Sequence, residues 1–171
     1  MEGMKRVLVI GSSGAGKSTF ARRLGEKTGL EVVNLDRIYW KPNWVEPEKD
    51  EWKKTLERAL KRDAWIMDGN YSGTLEMRIE PADTVIFLDM PPIICVYRIL
   101  KRVVFYKKGN RPDMADDCDE KFDWEFTKWV WNYPKRSKPK VEAILKRVEN
   151  EKTIIKLRSK KEIEDFFRQM L

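Results

Sequence analysis

No histidine occurs among the 171 residues. That absence removes histidine-based triads, imidazole acid/base chemistry and histidine-containing zinc sites in one step. Cysteine is almost as scarce: Cys95 and Cys118 stand alone, with no metal-ligand spacing and too few partners for a disulfide framework, so both are expected to be reduced thiols. Long hydrophobic runs are missing too. The most apolar stretch, from Val85 to Leu100, is interrupted by Asp89, Pro91, Pro92 and Arg98, and cannot supply the ~20 apolar residues of a membrane span. Near the start, the apolar run behind Lys5 and Arg6 lasts only from Val7 to Ile10, too short for a signal peptide. The expectation is a cytoplasmic chain with no membrane partner, whose chemistry relies on carboxylates, Lys, Arg, Ser, Thr or Tyr.

What is present suits a packed domain. The chain is 42% hydrophobic, 37% charged and 11% aromatic, well away from disordered compositions, and its length fits one domain over residues 1–171. A net charge of +7 suits phosphorylated small molecules, nucleic acid or an anionic surface. Charge alone does not choose among them.

Lys5 to Ile10 reads as a buried strand, and Lys17 to Thr28 as a helix with Phe20, Ala21 and Leu24 at helical spacing, ending at Gly29. Further strands are expected at Glu31 to Leu35, closing on Asp36, and at Ala64 to Met67, closing on Asp68. Two more follow at Thr84 to Leu88 and Thr153 to Leu157. Helices are expected after the loop WKPNWVEP, carrying Trp52, Leu56, Ala59 and Leu60, after Pro91-Pro92, and at the end of the chain around Phe166 and Phe167. Strands alternating with helices at this spacing predict an α/β fold, a five-stranded parallel sheet with helices on both faces.

The sharpest chemical signal lies between the first strand and first helix. Gly11, Ser12, Ser13, Gly14, Ala15, Gly16, Lys17, Ser18 and Thr19 satisfy the pattern G-x-x-x-x-G-K-[ST] in the context it requires. Glycines let successive amides face phosphate oxygens, and the helix starting near Lys17 adds its positive end. Lys17 is the mobile cation for the β and γ phosphates, and Ser18 offers a hydroxyl to Mg²⁺. The cofactors implied are ATP and Mg²⁺. Binding does not by itself establish catalysis, because loops of this kind serve kinases, switches and motors alike.

Two carboxylates close strands at the same sheet edge. Asp68 suits a Mg²⁺ ligand acting through water, or a turn cap before Gly69. Asp36 suits the orientation or deprotonation of an acceptor hydroxyl, or the capping of the next turn. Between the fourth and fifth strands the charge alternates in blocks: six bases and no acid from Arg98 to Arg111, seven acids with only Lys121 from Asp113 to Glu125, then seven bases with only Glu142 from Lys128 to Arg147. Of the seven tryptophans, Trp124, Trp129 and Trp131 are expected to bury helices of this region against the core; Trp40 or Trp44 could stack on a planar acceptor.

Taken together, the phosphate loop and the segments NLDRIYWKPNW (34–44), WIMDGNYSGTLEMR (65–78), ADTVIFLD (82–89) and RPDMADDCDEKFDWEFTKWVWNYPKR (111–136) resemble the small P-loop proteins called DNA topology modulation proteins (FlaR-like), relatives of adenylate, shikimate and gluconate kinases. The resemblance covers nearly the whole chain. It implies a nucleoside/shikimate-kinase type of P-loop fold with a helical lid insertion over approximately 103–136. Lid arginines in related kinases close over the transferring phosphoryl group, and Arg98, Arg102, Arg111 and Arg136 occupy the matching stretch, with Arg102 and Arg111 favoured as catalytic cations beside Lys17 and Asp36. Adenylate kinases carry an arginine in the loop that here reads Asp68-Gly69-Asn70-Tyr71. Arg78 is then the substitute for holding an acceptor phosphate, while Asn70 and Tyr71, with Asp36 and Trp40, suit a different acceptor. The preferred function is transfer of the ATP γ-phosphoryl group to a small acceptor. Its rival is a nucleotide-dependent DNA-associated role with weak, generic nucleic-acid contacts.

Overall fold

The computed structural model describes residues 3–105 and 122–170. Five strands form one parallel sheet: β1 (Arg6–Gly11), β2 (Val32–Asn34), β3 (Trp65–Asp68), β4 (Thr84–Leu88) and β5 (Thr153–Leu157), in the order β2-β3-β1-β4-β5. Side chains alternate across β1. Leu8 and Ile10 face one core with Trp65, Met67, Val85 and Phe87, whereas Val7 and Val9 face the other with Ile66, Ile86 and Leu88. Both faces are apolar because both are covered, which is why the strands read as continuous hydrophobic runs.

On the second face lie α1 (Lys17–Thr28), α5 (Pro92–Phe105) and α9 (Lys160–Arg168), which contribute Phe20, Leu24, Cys95, Ile99, Phe166 and Phe167. The first face is covered by α2 (Leu35–Tyr39), α3 (Lys49–Leu60), α4 (Leu75–Ile79) and α8 (Lys138–Val148) through residues such as Leu35, Leu56, Ile79 and Leu145. Two short helices, α6 (Trp124–Trp131) and α7 (Tyr133–Arg136), connect toward α8. Cys95 is a buried free thiol.

Two expectations are corrected. The second strand does not run from Glu31 to Leu35; it covers Val32–Asn34, and Leu35 instead opens α2. The reason is tertiary. Gly69, at φ 151°, brings its backbone so close to Leu35 that a Cβ there would lie 2.7 Å from the leucine Cβ, and Leu35 is fully buried under this turn. Asp36 therefore sits in the first turn of α2, not at a strand end. Second, Trp124, Trp129 and Trp131 do not bury their helix: all three are exposed, and Thr127 and Val130 make the packing contact instead. Within residues 124–136, Val130 is fully buried on one face of the sheet and Tyr133 is buried on the other. Arg111 and Cys118 lie outside the described residues.

Candidate active site

The loop from Gly11 to Thr19 emerges from the central strand, between β3 and β4, at the sheet's carboxyl edge, where open α/β folds bind ligands. Its shape depends on close approach. Gly14 has φ 79°, and a Cβ added there would collide with the backbone carbonyl of Cys95 on α5. Lys17 turns back and donates from Nζ to the Ser12 carbonyl at 2.9 Å. Ser12 Oγ is buried and has no hydrogen-bond partner among the described residues. A phosphate group seated on the loop would supply acceptors to both, so the cradle fits a polyphosphate.

Lys17 is crowded by charges. Burial pushes its pKa down, Asp36 and Asp68 pull it back up, and the Arg102 guanidinium lowers it further. These four side chains thus share one electrostatic neighbourhood. Asp68 is buried at the end of β3, directly across from Val9 on β1. For a metal, Ser18 at the start of α1 and Asp68 offer one hydroxyl and one carboxylate. No group of three or more Cys, Asp or Glu residues among the described residues forms a cage. That donor set fits Mg²⁺, which keeps waters and substrate phosphates in its shell.

The acceptor-side residues divide. Tyr71 donates its hydroxyl to Asp36 Oδ1 at 2.7 Å. Its ring lies 4.7 Å from that of Tyr39 and 5.4 Å from that of Trp52. Arg78 is completely buried: Nη2 donates to the Tyr71 carbonyl at 2.7 Å, Nη1 to the Gly69 carbonyl at 3.2 Å and Nε to Thr74 Oγ1 at 3.2 Å. Burial lowers its pKa to about 10, which leaves it charged at neutral pH. The expectation that Arg78 reaches out to an acceptor phosphate gives way to a guanidinium enclosed by the loop it holds. Asn70 lines a small pocket with Ser72, Arg78, Trp129 and Ser137. Trp40 is half-buried, its ring 5.3 Å from that of Trp44 in an edge contact.

Two features escaped the sequence reading of the site. Arg98 Nη1 donates to the carbonyls of Ala15 at 2.9 Å and Gly14 at 3.3 Å, fastening α5 to the phosphate loop. The four-residue spacing of Arg98 and Arg102 on a helix whose Cys95 and Ile99 are buried was the available signal. Asp89, just past β4, accepts from Lys138 at 2.7 Å and lies 3.5 Å from Arg158, tying α8 and the end of β5 to the same edge. Nothing local in the sequence foretells that cluster.

With this geometry established, comparison with known proteins is decisive at the family level. The AAA domain model matches residues 7–112. The chain belongs to that family. A protein named "Putative adenylate kinase" from Pyrococcus furiosus is 32% identical over 103 residues, 56% of this chain and 54% of the relative. The chain thus spans about half the length of the curated relatives it matches. Among solved structures, an unliganded sugar kinase from Janibacter aligns with a TM-score of 0.55 at 20% identity, covering 97% of this chain and 94% of the other. Deoxyadenosine kinase from M. mycoides, solved with dATP, aligns with a TM-score of 0.52 at 17% identity, covering 96% and 98%. These likenesses identify the fold as that of P-loop kinases. No helix among the described residues is long and apolar enough to cross a membrane.

Proposed function

We propose that this protein transfers the γ-phosphoryl group of ATP to the hydroxyl of a small acceptor. The observation that carries the proposal is the convergence of Lys17, Asp36, Asp68 and Arg102 beside a loop shaped for polyphosphate. Loop amides and Lys17 hold the β and γ phosphates; Ser18 and Asp68 would hold Mg²⁺, which would supply positive charge against the phosphate oxygens. Asp36 accepts the acceptor's hydroxyl proton as that oxygen bonds to the γ-phosphorus. The bond from phosphorus to the bridging β-oxygen breaks, and its electron pair leaves with ADP. Arg102, with Arg111 from the proposed lid, stabilises the charge spread over the transferring group, which is where phosphoryl transfer gains most.

Support for a nucleotide-type acceptor comes from the adenylate-kinase name of the relatives, and for a hydroxyl acceptor from the Asp36 carboxylate and the missing arginine in the Asp68-Gly69-Asn70-Tyr71 loop. A FlaR-like, DNA-associated role is the second reading; the charge of +7 supports it. Arg98 is spent on loop carbonyls and Lys138 on Asp89, so part of that charge has an internal purpose. The cytoplasm, with its abundant ATP, is the proposed location.

The test is an ADP-release screen with Mg-ATP over nucleosides, nucleoside monophosphates, sugars and small alcohols. At least one acceptor should raise ADP release well above the rate with water. With that acceptor, Asp36→Asn should lower kcat by ~100-fold or more while ATP affinity stays within a few-fold, the pattern of a lost general base. Unchanged turnover in Asp36→Asn would overturn the assignment of the base, and no acceptor-dependent release from the whole panel would overturn the transferase reading.

A further inference from the structure

We propose that Tyr71 and Arg78 are positioning residues for Asp36: the buried guanidinium fixes the loop after β3, and the loop in turn fixes the phenol that holds the carboxylate. The proposal rests on the reading of Asp36 as base and deepens it. Three bonds from one fully buried side chain reach the Gly69 carbonyl, the Tyr71 carbonyl and Thr74 Oγ1, and Thr74 Oγ1 itself donates to the Tyr71 carbonyl at 3.1 Å. Tyr71 therefore has a backbone clamped on one side. Its ring is clamped on the other by Tyr39 and Trp52, and Trp52 belongs to the core. With both fixed, the hydroxyl has one direction left, toward Asp36 Oδ1.

Burial, and next the Asp36 charge, push the Tyr71 pKa far above its ordinary value. The phenol stays protonated and always donates. One carboxylate oxygen is thereby occupied, and no hydrogen bond within the described residues engages the other, Oδ2, which is left for the acceptor's O–H. Tyr71 thus serves the acceptor through Asp36 and not by touching it.

The experiment uses the whole chain with Mg-ATP and water as acceptor, read as slow ATP hydrolysis, together with the carbon-13 chemical shift of the Asp36 carboxyl at neutral pH. Tyr71→Phe removes one oxygen and keeps the ring. It should lower kcat ~10- to 100-fold with KM for ATP within about twofold. It should also shift the Asp36 carboxyl resonance, because the phenol no longer donates to Oδ1. Arg78→Lys, which keeps the charge but loses the planar fork, should move both readouts in the same direction. An unmoved Asp36 carboxyl resonance in Tyr71→Phe would overturn the proposal. If Asp36→Asn hydrolyses ATP at the wild-type rate, the underlying reading of Asp36 fails instead, while the carboxyl resonance still reports whether Tyr71 holds that carboxylate.

A separate observation carries a second inference. On α5, Ile93, Tyr97, Leu100 and Val104 are exposed at 65%, 64%, 40% and 67%, and Phe105 extends the strip. Their spacing of four, three and four is a helix-packing seam. We infer that a second copy of this chain covers it, α5 against α5 about a twofold axis. Arg98 points to the phosphate loop and the Arg102 charge acts on Lys17, so among the described residues of α5 the seam carries one cation, Lys101, whose Nζ lies 5.5 Å over the Phe105 ring. Such a surface offers little to phosphates of nucleic acid or lipid, and much to an identical apolar helix. The five side chains present roughly 600 Å² per copy, against ~800 Å² per partner in a standard interface.

Analytical ultracentrifugation over a concentration series should show a monomer–dimer equilibrium for the wild type. Tyr97→Glu should give monomer with unchanged ATP affinity. A wild type that stays monomeric across the series would overturn the inference, as would binding to DNA or anionic vesicles that Tyr97→Glu abolishes.

Discussion

Lys17→Ala should weaken Mg-ATP binding by ~100-fold or more in calorimetry, and abolish phosphoryl transfer. Truncating one partner of a desolvated charge pair typically costs 2 to 5 kcal/mol, of which ~3 kcal/mol corresponds to that fold-change. The same crowding gives a pH signature. Burial, reinforced by Arg102, holds the Lys17 pKa below the ordinary 10.5. The unfolded chain therefore holds this proton more tightly than the folded one. Between the lowered and the ordinary value, stability without nucleotide should gain from this group as pH rises. ATP affinity should run the other way, because only the protonated amine attracts phosphate. An alkaline loss of ATP binding that sets in below 10.5 in the wild type, and is missing in the residual binding of Lys17→Ala, is the expected pair of results. Wild-type affinity in Lys17→Ala would remove the loop from the site altogether.

Gly14→Ala should be nearly as damaging, and for a reason that can be separated from simple backbone strain. Gly14 and Gly29 have similar left-handed φ values, 79° and 73°, but a Cβ on Gly29 meets nothing within 4 Å, whereas one on Gly14 overlaps the Cys95 carbonyl of α5. Gly29→Ala should cost only the left-handed penalty, about 1 kcal/mol, or ~2–4 °C in Tm for a chain of this size. Gly14→Ala pays that and must also push α5 away from the loop, which breaks the bonds from Arg98 to Gly14 and Ala15. We expect at least twice the Tm loss of Gly29→Ala, and loss of ATP binding that Gly29→Ala does not share. Equal effects of the two substitutions would mean that the contact with α5 is unimportant.

Much of the fold was legible because its signals are local. Thr84–Leu88 and Thr153–Leu157 are strands over the residues expected, each rich in apolar and β-branched residues and bounded by charged ones. The helix from Lys17 to Thr28 likewise starts after Gly16 and ends at Gly29, both left-handed glycines. The second strand was misread by its last residues because hydrophobicity does not distinguish a leucine on a strand from one beneath a glycine turn; Leu35 belongs to α2 because Gly69 leaves room only there. The tryptophans of α6 misled in the opposite way, since a large aromatic argues for burial and Trp124 and Trp131 are more than half exposed.

The phosphate loop and its context belong to the sequence itself: nine consecutive residues between a strand and a helix carry the amides, cation and hydroxyl, and no distant contact is needed to recognise them. Which side chains surround that loop was decided only by tertiary structure. Tyr71 meets Asp36 across 35 residues, Lys138 meets Asp89 across 49, and Arg98 meets Gly14 across 84. Those pairs exist because a parallel sheet must bring every strand's carboxyl end to one edge, gathering loops that are far apart along the chain. Arg78 makes the distinction plainest: its identity suggested a cation for an acceptor, and only the packing around α4 shows it enclosed and turned toward its own loop.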